Sequence, residues 1–353
     1  MTEDEEQQTK KEGYREFLTS WLCLLVVLSI ADGIFRDSRF SKRIDDGNWI
    51  PTKRRELFKS AADVVVVGSS VIAEGMTPGV VSLRVKEKTG KTLRVFNFGV
   101  SAGSYAGDFL IADSVLQIPA ETRPRYFIIS MSPMEFSCCP QVEVPSHTKW
   151  AGAIRFHELP GLLWNAPTFE EFSNTVLMGS FRMLAVRPAV LESVFELKQP
   201  WDGATWPLDG GGGTIPQVDP ATQNDRATHR AESFKPYMLK PKTVDHSVGP
   251  SYLRALVKRL AAGGVHTAFI GAPQAPQLDV LDGPDSIFPE YEELVIALAK
   301  ELDVPYVSFR HMPDIGATDF ADGDHLCSTG SVKFSNRLAD EVLVPMMSRA
   351  GDQ

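Results

Sequence analysis

The spacing of apolar and polar positions changes character along the chain. Ala61 to Gly68 is a short β-branched run, suited to a strand buried on both faces. Pro78 to Lys88 reads as a helix that Gly90 terminates, and Thr92 to Val100 as a second strand. Tyr105 to Leu116 is a second helix, and Arg125 to Met131 a third strand, ended by Ser132-Pro133. The alternation resumes at Ser251. A helix from Tyr252 to Ala262, closed by Gly263-Gly264, leads to a strand from Val265 to Pro273. Pro289 to Leu302 is helical, with a stripe at Leu294, Ile296, Ala297, Leu298 and Leu302. A short strand from Pro305 to Phe309 and a helix from Ser328 to Met347 follow. Strands and helices that alternate in this way predict a parallel sheet covered on both faces, a three-layer α/β/α architecture of flavodoxin-like type. There is no internal repeat.

Two stretches depart from the alternation. Residues 141–250 are rich in proline and tryptophan, contain the run Gly210 to Gly213, and show helical pieces such as Glu170 to Met178. This is too long for a simple loop and predicts an insertion with structure of its own, between halves 61–140 and 251–348 of one α/β domain. The other is the start of the chain. Residues 1–16 are polar, and Phe17 to Phe35 is apolar and near the lower length of a bilayer-spanning helix. Its strongly apolar centre, Trp21 to Ala31, also has signal-peptide length, with Ser29-Ile30-Ala31 as a small-x-small site. An uncleaved anchor over 17–35 is the preferred reading; a cleaved leader and a buried helix stay open. Residues 36–60 are charged and aperiodic, and read as a juxtamembrane linker. Basic residues flank the apolar segment on both sides, so charge alone gives no orientation.

Composition narrows the function. Of 353 residues, 43% are hydrophobic and 23% charged, as in ordinary globular proteins with ample core. The formal net charge of -9 argues against a nucleic-acid-binding surface. The four cysteines, Cys23, Cys138, Cys139 and Cys327, contain no C-x-x-C pair, which argues against structural zinc. A disulfide from Cys138 or Cys139 to Cys327 stays open for an oxidising compartment.

Candidate chemistry collects where ligands bind in such sheets, beyond the carboxyl ends of the strands. Gly68-Ser69-Ser70 follows the first strand, Asn97 to Gly103 follows the second, and Asp319 to Leu326 precedes the last helix. A serine hydroxyl needs a base to become a nucleophile, and histidine is the natural one near neutral pH. A carboxylate then fixes the imidazole tautomer and stabilises the imidazolium. Asp322 and His325, spaced D-x-x-H, supply both; Asp324 is the alternative carboxylate, and Asp319 reads as a solvated loop acid. Each cluster also has a plainer reading. Ser69 and Ser70 are good helix N-caps, and D-G-D-H is a serviceable turn.

In their order along the chain, these clusters resemble those of the SGNH/GDSL hydrolase superfamily. The resemblance covers roughly residues 60–140 and 250–347. It implies Ser70 as nucleophile, His325 as base and Asp322 as the orienting acid. It also implies an oxyanion hole from the backbone N–H groups of Ser70 and of Ala102 or Gly103. The superfamily's third block, G-x-N-D, supplies an asparagine that the third strand's exit, Ile129 to Phe136, lacks. The G-S-S opening, the S-P-x-x-F segment from Ser132 and H-L-x-x-x-G at His325 resemble membrane-anchored members. These are the DltD-like teichoic-acid D-alanylation proteins and the alginate-acetylation proteins. That implies an extracytoplasmic, single-pass protein acting on an acylated cell-envelope polysaccharide beside a membrane-bound O-acyltransferase. A secreted ester hydrolase and a non-catalytic partner of an acylation machine are the alternatives. No metal or organic cofactor is implied. Trp150, Trp164, Trp201 and Trp206 are core candidates, with a sugar-stacking surface as the alternative.

Overall fold

The computed structural model describes residues 19–20, 22–23, 26–33, 49–100, 103–136, 154, 158–164, 169–180, 223–239, 244, 248–281 and 286–351. Five strands form one parallel sheet in the order β2-β1-β3-β4-β5: β1 Val64–Val67, β2 Val95–Asn97, β3 Tyr126–Met131, β4 His266–Gly271 and β5 Tyr306–Ser308. β1 lies between β2 and β3, where the strand order reverses. Its carboxyl end is therefore the topological switch point at which open α/β sheets bind ligands.

The valine run of β1 explains the layering. Val65 and Val67 join one core with Phe127, Ile129 and Phe269, whereas Val64 and Val66 join a second core with Tyr126, Ile128 and Ile270. Successive side chains point to opposite faces, so a strand buried on both sides is apolar at every position. On the first face lie α1 Trp49–Ser60, α4 Tyr105–Leu116, α9 Val248–Ala262 and α10 Phe288–Glu301. The second face is covered by α2 Ser70–Gly75, α3 Pro78–Thr89, α11 Ser328–Leu338 and α12 Val344–Arg349. Helices α5 Pro133–Phe136, α6 Leu159–Trp164, α7 Phe169–Ser180 and α8 Gln223–Met238 follow, the last three within the insertion, with short 3-10 turns at Pro276–Leu281 and Ala317–Asp319.

The expected elements form, with three physical differences. The first concerns the segment read as a linker: residues 49–60 are α1, packed into the core. Ile50 and Leu57 are buried, and so are Lys53 and Arg54. Lys53 Nζ donates to Gly99 O at 2.6 Å and to Asn97 O at 3.3 Å. Arg54 Nη2 donates to Glu158 Oε1 at 2.9 Å and to Leu110 O at 3.3 Å. Buried charges are tolerated when so paired, and they hide the amphipathic pattern from the sequence. The second difference is the last helix, which is interrupted by a π-turn over Ala339–Leu343. Pro345 lacks an N–H and crowds the carbonyl four residues before it, and a wider turn relieves both. The third is β2, confined to Val95–Asn97, because the chain turns at once: Gly99 N donates to Asn97 Oδ1 at 2.9 Å.

Among the described residues no helix is long and apolar enough to cross a membrane. Of the expected anchor, 12 residues are described, and Leu22, Val26, Val27 and Ile30 are exposed. Cys327 carries a buried thiol outside any disulfide, while Cys138 and Cys139 lie outside the described residues. Trp150, Trp201 and Trp206 also lie outside them, and Trp164 ends α6.

Candidate active site

Ser70 opens α2 directly after the β1 exit. The turn that presents it depends on Gly68, whose φ is +150°. L-residues rarely adopt that conformation, and a Cβ there would lie 2.7 Å from Ser130 Cβ. Ser69 occupies the N-cap position but makes no side-chain cap bond, so the capping reading of the two serines fails for Ser69. Asn97 closes the other end of α2. Its Nδ2 donates to Ile72 O at 2.7 Å and to Met76 O at 3.0 Å. Ile72 O also accepts from Met76 N at 3.2 Å, so Asn97 adds a side-chain cap at the C-terminal end of the short helix that carries Ser70.

His325 comes from the loop before α11, held by Ala321 N donating to His325 O at 2.6 Å and by Cys327 N donating to Asp319 O at 2.9 Å. Its Nε2 lies 2.8 Å from Ser70 Oγ, and its Nδ1 lies 2.8 Å from Asp322 Oδ2. Asp322 Oδ1 also accepts from the backbone N–H of Asp324 at 3.0 Å and of His325 at 2.8 Å. The three residues named from the sequence thus meet in one hydrogen-bonded chain. Asp324 stands farther from the ring, Oδ1 to Nδ1 3.3 Å, and is engaged by Arg230: Nε to Oδ1 2.8 Å and Nη2 to Oδ2 3.0 Å. Asp319 corrects its expectation. It is buried, not solvated, and accepts from Lys333 Nζ at 2.7 Å and from Gly316 N at 2.9 Å. Of the two candidate oxyanion residues, Gly103 is buried against Gly68, and a Cβ on it would come within 2.8 Å of Gly68 O. Ala102 lies outside the described residues.

The electrostatics follow from crowding. Burial would pull the His325 imidazole down. The hydrogen bond that His325 donates to Asp322 and the charges of Asp324, Asp322 and Glu74 outweigh that, raising it to about 9. Burial pushes Asp322 up, but the His325 bond and charge and the two backbone N–H groups hold it well below the usual carboxylate range. Burial dominates for Asp324 and for Glu74, and raises both. Arg230 is raised: burial lowers it, and the Asp324 bond overcomes that.

Asp322, Asp324 and His325 each offer a ligand atom within 4.8 Å of the others, the spacing of a metal site. The donors are otherwise committed, however: Asp324 to the Arg230 guanidinium and the imidazole to Ser70 and Asp322. Once neutral, the imidazole can take the Ser70 proton at Nε2 while Asp322 compensates the charge that forms.

Two residues that position the site, Lys53 and Arg230, were not found from the sequence, whereas Gly68 and Asn97 lie in the clusters named from it but without these roles. Asn97 had a readable signal, a polar residue ending an apolar strand. Arg230 had none, being 94 positions from its partner.

No family model matches the chain, and no curated protein matches it. Among solved structures, it is similar to a lipase/acylhydrolase from Enterococcus faecalis over 79% of this chain and 94% of that one, with 9% identity and a TM-score of 0.35. It is similar to a GDSL-like lipase from Bacteroides thetaiotaomicron over 85% and 98%, with 9% identity and a TM-score of 0.36.

Proposed function

We propose that this chain is a serine esterase or O-acyltransferase of SGNH type. Ser70 attacks an ester carbonyl, His325 takes the Ser70 proton and returns it to the leaving alcohol, and Asp322 orients His325. Water or a second hydroxyl then releases the acyl group from Ser70. The observation that carries this reading is the chain Ser70 Oγ to His325 Nε2 to Asp322, with 2.8 Å at each link. The backbone N–H groups of Ser70 and of Ala102 or Gly103 stabilise the oxyanion, while the exit of the third strand, Ile129 to Phe136, offers no asparagine.

The cellular role extends the same proposal: an extracytoplasmic domain on a single N-terminal anchor, acting on acylated envelope polysaccharide beside a membrane-bound O-acyltransferase. Exposed Leu22, Val26, Val27 and Ile30 support the anchor, since a packed helix would cover them.

A fluorophosphonate probe tests the chemistry. Wild type is expected to label, and Ser70→Ala and His325→Ala are not. A folded wild type that stays unlabelled between pH 7 and pH 10 would sink the nucleophile assignment.

A further inference from the structure

We propose that the cleft beside Ser70 is an acyl pocket for short, unbranched chains, and that Phe234 of the insertion sets its length. The proposal rests on the esterase reading and names the acyl class. The cleft lies at the carboxyl ends of β3, β4 and β5, and Ser69 and Val71, the two neighbours of Ser70, line it. Its volume is about 80 Å³. At roughly 10–15 Å³ for each water-sized group, that is room for about five to eight of them.

Two observations select the occupant. The first is the wall. The lining surface is mostly apolar, and Phe234, Leu278, Phe288 and Tyr291 in it are all buried. They come from three elements: α8, the turn Pro276–Leu281 and α10. A hydrocarbon chain is stabilised by covering such a surface, whereas a sugar ring would have to strip its hydroxyls of water there. A polymeric alcohol is also too large for the space, so the cleft takes the acyl side of the ester.

The second observation is how Phe234 is held. Arg230, one turn earlier on α8, places its Cζ 4.4 Å from the centroid of the Phe234 ring. The same guanidinium grips Asp324 at 2.8 and 3.0 Å, on the loop that carries His325. The two segments also pack closely: a Cβ on Gly323 would lie 3.0 Å from Arg230 Cβ. The insertion thus fixes one wall of the cleft relative to the base, and a wall held in this way discriminates by size. Leu278, Phe288 and Tyr291 belong to the α/β domain itself, so Phe234 is the wall residue that the insertion adds to it.

The test is kcat/KM for the para-nitrophenyl esters from acetate through butanoate, hexanoate and octanoate to decanoate. Wild type is expected to gain about fourfold per added CH₂ while the cleft fills, and to stop gaining by about hexanoate. Phe234→Ala is expected to move that break to longer chains by about two carbons, and Phe234→Trp to shorter ones, with circular dichroism confirming folded variants. Phe234→Leu keeps an apolar side chain in place and moves the break the same way should the alanine variant unfold. A flat series, a gain that continues to decanoate, or a break that no substitution moves overturns the proposal. A loss equal for every ester overturns it too, since Phe234 would then serve only to support Arg230. So does a break found instead among methyl, butyl and hexyl acetates, where the alcohol alone lengthens. Fluorophosphonate labelling keeps the two readings apart. A labelled wild type with a flat series loses the acyl pocket and keeps the nucleophile, whereas a wild type that neither labels nor cleaves loses both.

Discussion

Arg230 grips Asp324 at two points, Nε to Oδ1 at 2.8 Å and Nη2 to Oδ2 at 3.0 Å. One residue belongs to the insertion and the other to the loop that carries His325. The same Asp324 oxygen lies 3.3 Å from His325 Nδ1, so Arg230 competes with the imidazole for it. The pair leaves Asp322 as the closer partner of His325. It also sets a cation against three carboxylates, Glu74, Asp322 and Asp324, that all act on the ring.

Removing that cation has a predictable sign. In Arg230→Met the imidazolium keeps its carboxylates and loses its opposing charge, so its pKa rises further. The ascending, acid-side limb of kcat/KM is expected to move up by about one pH unit, with a smaller shift in Arg230→Lys. A pH–rate profile of both variants reads this. An unmoved limb with a uniformly lower rate would mean that Arg230 serves only as a structural tie.

Wild type itself is expected to be an alkaline enzyme. The base works in its neutral form, and His325 is raised to about 9, so kcat/KM climbs from neutral pH toward that value. Stability runs the other way. The folded pKa lies above the unfolded one, so the contribution of His325 is complete below about 6.5 and lost as pH rises through about 9. Asp322 is depressed in the fold, so its contribution is present above about 3.9 and lost as pH falls below that. Urea midpoints from pH 5 to pH 10 check the first window.

Gly68→Ala is expected to be severe. The new Cβ meets Ser130 Cβ at 2.7 Å and Ile72 Cγ1 at 2.9 Å, at a φ of +150°. A loss on the order of 2–4 kcal/mol follows from strain and overpacking together. Thermal unfolding measures the loss. Fluorophosphonate labelling of the surviving folded fraction reports whether Ser70 has moved off its base.

Lys53→Met keeps the bulk of a side chain that is 2% exposed but removes its ammonium group. The carbonyls of Gly99 and Asn97 lose a buried donor, a cost of about 1–3 kcal/mol. Because those carbonyls belong to the turn behind α2, the rate is expected to fall along with the urea midpoint. A full-rate variant would separate the turn from catalysis.

These residues also mark the limit of what the chain discloses as text. The four valines of β1, the helix Tyr105–Leu116 and the spacing of Asp322 and His325 are legible because local periodicity and short-range chemistry write them. Lys53 and Arg54 are not, because a buried charge looks like a solvated one until its distant partner is known. Asp319 misleads for the same reason: Lys333, a turn of α11 away from the loop, turns a loop acid into an interior one. Arg230 sits in a stretch whose pattern is broken, and nothing near it in the sequence points to Asp324.

The separation of Ser70 from His325 by 255 positions has a consequence for synthesis. At roughly 5–20 residues per second, the base leaves the ribosome about 13–50 seconds after the hydroxyl it must activate. The β1–α2 turn can form and pair with β2 and β3 long before then, since those strands lie close to it in the chain. On the proposed mechanism, a nascent chain therefore holds Ser70 without its base until the last helix-bearing segment emerges. On the same proposal, a product cut short before that loop would be a sheet without its esterase chemistry.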